Sequence, residues 1–288
     1  MTSKKFSTTC LIGLANAGKS TFFNALLKEK LVATSSKPQT TVDTTLGLLT
    51  DTNKNIQIAI YDTPGFCPKL KKISMEKVNE SDFFCYLVSL KQGLKPMDSF
   101  YLNPEFLRRP GIVFATQGDL FQKEERQKRF DALKFEIKDF PMIDVCAREK
   151  NSLNQVLNRI FELGMTSGQI VDEFPYESEA ITNKPLKKIA EDFIREQLFR
   201  QLGNEIPYFI DVETTLFDDA KPYRTKYCAN LYVHKKSHQG IVIGKNGAKL
   251  NEISEASRAC LVKLLGKHVD IKLYVKLIKD GTGLAPTI

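Results

Sequence analysis

The chain has 288 residues, enough for two cores of ordinary size without help from disulfides. Its six cysteines, at 10, 67, 85, 146, 228 and 260, form no C-x-x-C pair, which suits a reducing compartment. The only histidines are His234, His238 and His268, which excludes a histidine metal centre or a Ser-His-Asp triad in the first half. The net charge of +8 is unevenly spread: residues 1–168 hold 24 Lys/Arg against 18 Asp/Glu, residues 169–220 hold 5 against 12, and residues 221–288 hold 13 against 4. The last 68 residues are therefore a basic module of charge +9, a footprint that fits nucleic acid as well as it fits a solvated face.

The first nine residues are short and polar, and no apolar run approaches a membrane span, so a cytoplasmic protein is expected. Thr9 to Leu14 reads as a buried strand and Thr21 to Leu27 as the opening of a helix. Between them Gly13-Leu14-Ala15-Asn16-Ala17-Gly18-Lys19-Ser20 spells G-x-x-x-x-G-K-S. In that setting the loop's backbone N–H groups, from Gly13 through Ala17 and Gly18 to Thr21, can wrap phosphate oxygens. Lys19 neutralises the outer phosphates and Ser20 can ligate Mg²⁺. This is a nucleoside triphosphate site.

Lys37-Pro38-Gln39-Thr40-Thr41 follows, a polar stretch placed to offer a threonine hydroxyl to Mg²⁺; Thr41 is the expected ligand and Thr40 the alternative. The strand Ile56–Tyr61 runs into Asp62-Thr63-Pro64-Gly65. An aspartate at a strand end can hold Mg²⁺ through water, and the Gly65 N–H can meet a γ-phosphate and move when it leaves. Lys19, Thr41 and Gly65 are thus the residues expected to touch the reaction. Apolar runs at Phe83–Leu90, Gly111–Thr116 and Met142–Cys146, separated by amphipathic segments such as Lys123–Asp139, predict an α/β domain, a mostly parallel sheet with helices on both faces.

Past Gly164 the pattern stops, and residues 169–184, turn-rich and acidic, read as a linker between a first domain of 1–168 and a second of 185–288. From Leu186 to Leu202 apolar residues recur at helical spacing and end at Gly203. Strand-like runs follow at Tyr208–Phe217 and Cys228–His234, then helices at Gln239–Val242 and Ala248–Leu265, then a strand at Val269–Ile278. The order is α-β-β-α-α-β. Between the two helices Ile243-Gly244-Lys245-Asn246-Gly247 sets a G-x-x-G turn against apolar flanks, which lets a nucleic-acid backbone approach closely while Lys245 and Asn246 contact phosphate. Lys235, Lys236, Lys249 and Lys263 extend the basic surface. Single-stranded RNA is the expected ligand.

The order of these motifs, together with Gln39-Thr40-Thr41 and Ile206-Pro207-Tyr208, resembles the Era family of translational GTPases over nearly the whole chain. The resemblance implies a Ras-like P-loop GTPase domain followed by an α+β type II KH domain, with GTP as substrate and GDP as product. It implies slow, substrate-assisted or cation-assisted hydrolysis, because Phe66 stands where a water-orienting glutamine would otherwise be. It associates Asn16 with K⁺ near the phosphates. It assigns Thr116-Gln117-Gly118-Asp119 to guanine reading, with Asp119 accepting from N1–H and the exocyclic amine, and Cys146-Ala147 to a backbone amide at guanine O6. Here Thr116 and Gln117 replace the family's asparagine and lysine, so guanine affinity is expected to fall about tenfold to a hundredfold at roughly 0.5–1.5 kcal/mol per lost hydrogen bond plus a similar packing loss. Val42 and Asp43 replace a basic pair, and the C-terminus lacks the family's Trp-Arg ending.

By the same resemblance the RNA is small-subunit rRNA near its 3′ end, the partner the 30S subunit or its precursor, and the process ribosome assembly. Peripheral association with the inner face of the cell membrane is a family property, although no amphipathic anchor stands out here. The alternative reading is an RNA-binding assembly protein whose nucleotide site has decayed. A small-molecule kinase is disfavoured, because D-T-P-G and a basic G-x-x-G module have no role in one.

Overall fold

The computed structural model describes residues 3–32, 44–65, 71–102, 109–147, 149–203 and 205–278. These fall into two compact units whose main division lies between Asn183 and Lys184. In the first, strands β1 (Lys4–Ile12), β2 (Thr45–Asp51), β3 (Ile56–Asp62), β4 (Phe83–Ser89), β5 (Gly111–Thr116), β6 (Met142–Asp144) and β7 (Gln169–Val171) form one sheet in the order β2-β3-β1-β4-β5-β6. The strands from β3 to β6 along that order run parallel. Two additions are antiparallel: β2 on β3, and β7 on the first residues of β1.

Helices α1 (Lys19–Leu27), α2 (Lys71–Glu80), α3 (Pro96–Tyr101), α4 (Lys123–Glu136) and α5 (Lys150–Ser167) follow the strands as crossovers. Both faces of the sheet are covered, which is why its strands read as unbroken apolar runs: all seven residues of β4 are buried. One face packs Cys10, Ile12, Phe84, Tyr86 and Val88 against Val78 of α2 and Leu133 of α4. On the other, the Phe22 ring of α1 meets Phe114 of β5 at 5.0 Å, and α5 crosses β1 and β3. The carboxyl ends of β1, β3, β5 and β6 thereby share one edge, the position where doubly covered sheets bind phosphates.

The expected linker is not a free tether. Residues 169–171 are strand β7, Tyr176 exchanges hydrogen bonds with the Gln57 side chain, Ile181 O accepts from Leu48 N at 2.8 Å, and Thr182 Oγ1 donates to Leu46 O at 2.5 Å. The acidic composition is compatible with this because the segment attaches mostly through its backbone groups.

The second unit comprises α6 (Leu186–Gln201), β8 (Ile210–Lys221), β9 (Arg224–Val233), α7 (Lys236–Ile243), α8 (Ala248–Leu265) and β10 (His268–Leu277). Its sheet runs β10-β9-β8, with β9 antiparallel to β8 and parallel to β10. This is the expected α-β-β-α-α-β order. Glu191 pins α6 to β8, accepting from Thr214 N at 3.0 Å and Lys188 Nζ at 2.8 Å. Burial alone would raise its pKa; these hydrogen bonds overcome that and hold the carboxyl below its ordinary value. Among the described residues no helix is long and apolar enough to cross a membrane.

Candidate functional site: a phosphate loop, a base edge and a G-x-x-G turn

Strand β1 ends where the backbone turns at Gly13, with φ +146°. A Cβ there would lie 2.4 Å from Leu87 O, so only glycine lets the loop leave the sheet beside β4. The loop closes into α1, whose first residues are Lys19 and Ser20. Lys19 is buried, its Nζ donating to Leu14 O at 2.9 Å and Gly13 O at 3.2 Å, inside the curl of the loop. Burial pulls its pKa down to about 8, against the opposing pull of Asp62 and Asp98. At neutral pH the ammonium is therefore largely charged yet desolvated, the condition in which a phosphate oxygen is attracted most strongly.

Ser20 Oγ donates to Asp62 Oδ2 at 2.9 Å, which brings a hydroxyl from the first turn of α1 and a buried carboxylate from the end of β3 to one point. These are hard oxygen donors and fit Mg²⁺. Thr63 Oγ1 donates to Leu11 O at 2.7 Å and Ser74 Oγ of α2 donates to Pro64 O at 2.9 Å, fixing the D-T-P-G loop from both sides. Gly65 sits against the phosphate loop itself: a Cβ on it would be 2.9 Å from Ala15 Cα and 3.0 Å from Ala15 N. Thr21 is exposed on the first turn of α1, and Asn16 is exposed with φ +64°. Thr40, Thr41 and Phe66 lie outside the described residues.

The residues that depart from the family's guanine motif are both attached to the phosphate loop. Thr116 Oγ1 donates to Ala17 O at 2.7 Å. Gln117 donates through Nε2 to Asn16 O at 2.9 Å and accepts at Oε1 from Ser89 Oγ at 2.6 Å. Asp119 follows on an exposed 3₁₀ turn. Beyond β6, Cys146 is buried and its N–H donates to Ser152 Oγ at 3.0 Å, with Ala147 half-buried beside it. Ser74, Ser89 and Ser152 carry no signal in the sequence, since each acts across a turn or from another element on a residue outside its own.

In the second unit α7 stops at Gly244, whose φ of +72° is followed by Asn246 at +53° and Gly247 at +78°. A Cβ at Gly244 would lie 2.6 Å from Lys249 Cβ, so the turn needs its glycine for space as well as backbone shape. Lys245 and Asn246 project into solvent, Ile243 is half-buried, and Lys235, Lys236 and Lys263 are exposed. Lys249 is different: its ammonium pairs with Glu252 at 2.5 Å.

The family model described as "50S ribosome-binding GTPase" matches residues 8–117, and the KH domain model matches residues 205–282. GTPase Era of Caldanaerobacter subterraneus subsp. tengcongensis is 32% identical over 280 residues, covering 93% of this chain and 91% of that protein. The chain belongs to the Era family of GTPases. GTPase Era of Rickettsia conorii is 30% identical over 290 residues, 96% of this chain and 82% of its own length. Among solved structures, Era in complex with MgGDPNP and nucleotides 1506–1542 of 16S ribosomal RNA superposes with a TM-score of 0.83 at 25% identity, covering 96% of this chain and 95% of that one. An Aquifex aeolicus Era variant bound to GDP·AlF₄⁻ has the same TM-score at 24% identity, covering 96% of this chain and 95% of that one, and shows the fold. The Era-family fold thus accommodates Thr116 and Gln117 by tying each to the phosphate loop.

Proposed function

We propose that this Era-family GTPase is a switch that binds small-subunit rRNA near its 3′ end through the G-x-x-G turn and assists assembly of the 30S subunit. The observation that carries the reading is Gly65 seated against Ala15 of the phosphate loop while Ser20, beside Lys19 at the start of α1, donates to Asp62 at the end of β3. A loop that feels the γ-phosphate through one backbone N–H, and is anchored to α2 through Ser74, can pass its gain or loss outward. Bound Mg²⁺ supplies charge neutralisation at the outer phosphates; Ser20 and Asp62, with Thr41, would hold it, and Asn16 is the residue proposed for a K⁺. Lys19 neutralises the outer phosphates, the phosphate loop orients them, and no side chain at 66 is required to orient water.

Asp119 accepts from guanine N1–H and the exocyclic amine. With the Cys146 N–H committed to Ser152, Ala147 N–H is the amide offered to O6. In the second unit Lys245 and Asn246 meet phosphate, the groove beside Ile243 takes splayed bases, and Lys235 and Lys236 extend the path; Lys249 is shared with Glu252. The relative solved with MgGDPNP and 16S rRNA supports the RNA assignment. The tethers made by Thr116 and Gln117 weigh against a decayed nucleotide site. Peripheral membrane contact has no supporting feature among the described residues and is no part of the proposal.

The test is Lys19→Ala in the full chain, assayed for GTP turnover and for binding of a 3′-terminal rRNA fragment. Turnover is lost and nucleotide-free RNA binding persists; unchanged turnover in a clean preparation refutes the reading.

A further inference from the structure

Arg126 lies on α4, outside every motif above, yet it is built into the base edge of the site. Its Nε donates to Asp144 Oδ2 at 2.7 Å, and Nη1 lies 3.5 Å from Glu149 Oε1. The stem and guanidinium also press on the turn that carries Asp119: a Cβ at Gly118 would lie 2.5 Å from Arg126 Nε and 3.0 Å from Cζ. Asp144 ends β6 two residues before Cys146, and Glu149 closes the same loop before α5. One guanidinium therefore touches both loops assigned to the base, the Thr116–Asp119 turn on one side and the Cys146–Ala147 loop on the other.

The chemistry suits a spacer. The guanidinium is planar and keeps its charge, and its hydrogen bond to Asp144 raises the Arg126 pKa further. The Arg126 and Asp144 side chains are 22% and 24% exposed, so the pair is largely shielded. The two loops end different strands, and their separation must match the width of a purine for Asp119 and the Ala147 amide to act on one base. Thr116 and Gln117 tie the first loop to the phosphate loop, not to the second. The backbone joins the two loops at their base, Val145 N donating to Ala115 O at 2.8 Å, and Arg126 adds the side-chain connection above it.

We infer that Arg126 is a positioning residue for guanine recognition, holding the Asp119 turn and the Cys146–Ala147 loop at the spacing in which both edges of the base are read together. The inference rests on the guanine reading of Asp119 in the proposed function. A purely structural role, in which the shielded pair only fastens α4 to the end of β6, is the competing account. The two accounts part over discrimination between bases.

The experiment titrates the full chain with fluorescent GDP, competed by unlabelled GDP or inosine diphosphate, which lacks the exocyclic amine read by Asp119. The unsubstituted chain prefers GDP by about tenfold, the value of one hydrogen bond to a carboxylate. Arg126→Ala weakens GDP binding roughly tenfold and brings the GDP-to-inosine ratio to about two or less, while kcat at saturating GTP stays within about twofold. Asp144→Asn moves both quantities in the same direction, and Arg126→Lys restores part of the ratio. If Arg126→Ala does not fold, Asp144→Asn and Arg126→Lys carry the same comparison. Variants that melt earlier but keep the ratio, or that keep both affinity and ratio, overturn the inference while leaving guanine recognition standing. A chain that does not bind GDP at all, or binds inosine diphosphate equally, refutes the guanine reading itself and the inference with it.

Discussion

Replacing Gly65 by alanine tests the contact on which the switch depends. The new Cβ would stand 2.9 Å from Ala15 Cα and 3.0 Å from Ala15 N, both backbone atoms of a loop held by Gly13 and by the Lys19 ammonium. Carbon atoms pack favourably at about 3.5–4.0 Å, so the D-T-P-G loop has to retreat by roughly half an ångström or more. In the two residues just before Gly65, the Thr63 hydroxyl is held by Leu11 and the Pro64 carbonyl by Ser74, which directs the displacement to Gly65 itself. On the proposed reading its N–H is then withdrawn from the γ-phosphate, a loss comparable with removing one preorganised donor to developing charge, about 10²-fold in kcat. GDP has no γ-phosphate, so its affinity should stay within about twofold. Phosphate release at saturating GTP and a fluorescent-GDP titration measure the two quantities. A kcat within about twofold of the unsubstituted chain refutes the geometry, and an equal loss in GDP affinity shows that the substitution has damaged the phosphate loop instead.

Thr116→Val keeps the shape but leaves the buried Ala17 carbonyl without its 2.7 Å partner; GDP affinity falls about 5- to 30-fold, and an unchanged titration refutes the tether. Glu191→Gln lowers stability at pH 7 by about 1–2 kcal/mol through loss of the charged acceptor for Lys188 and Thr214. Because the folded Glu191 pKa lies below the unfolded one, its stabilisation is whole above the ordinary carboxylate range and disappears as pH falls through the folded value. The gap in melting temperature between the two proteins therefore closes on acidification below about pH 4, and a gap independent of pH contradicts this. Lys245→Ala weakens RNA binding and reduces the slope of log affinity against log salt by about 0.7, the share of one phosphate contact on a single strand; an unaltered slope removes Lys245 from the backbone path.

The parts of this fold that were legible in the sequence are those whose neighbours lie close along the chain. Strand β5 coincides with its apolar run, Gly111–Thr116, because a strand buried on both faces has no polar residue to interrupt it. Helix α8 coincides with Ala248–Leu265, bounded by Gly247 and Gly266, which both turn left-handed at its ends. Strand β2 escaped notice because Gly47 breaks its pattern. The glycine is there for a long-range reason, since a Cβ would meet Leu27 Cδ1 at 2.5 Å and Phe23 Cζ at 2.8 Å on α1. Strand β7 is three residues long and mostly exposed, and pairing with β1 defines it more than any propensity of its own. In the site, the motif spacing of G-K-S and D-T-P-G anticipates that Ser20 and Asp62 come together. The roles of Thr116 and Gln117 were only half evident, because shorter or neutral side chains suggested lost contacts. The structure redirects both toward the phosphate loop, whose carbonyls no local pattern announces.

The attachment of residues 176–182 also bears on how fragments of this protein behave. Strand β2 is the edge of its sheet, and an edge strand offers unpaired N–H and C=O groups on which another chain can build. Ile181 and Thr182 occupy two of those positions, at Leu48 N and Leu46 O. A polypeptide cut at 168, where the composition changes, would lose β7 as well and expose backbone along both β1 and β2. One cut after Asn183 would keep them covered. Covering those edges is expected to keep the sheet from pairing with other chains, so a nucleotide-binding fragment is expected to need the chain through Asn183, some fifteen residues past the change in composition.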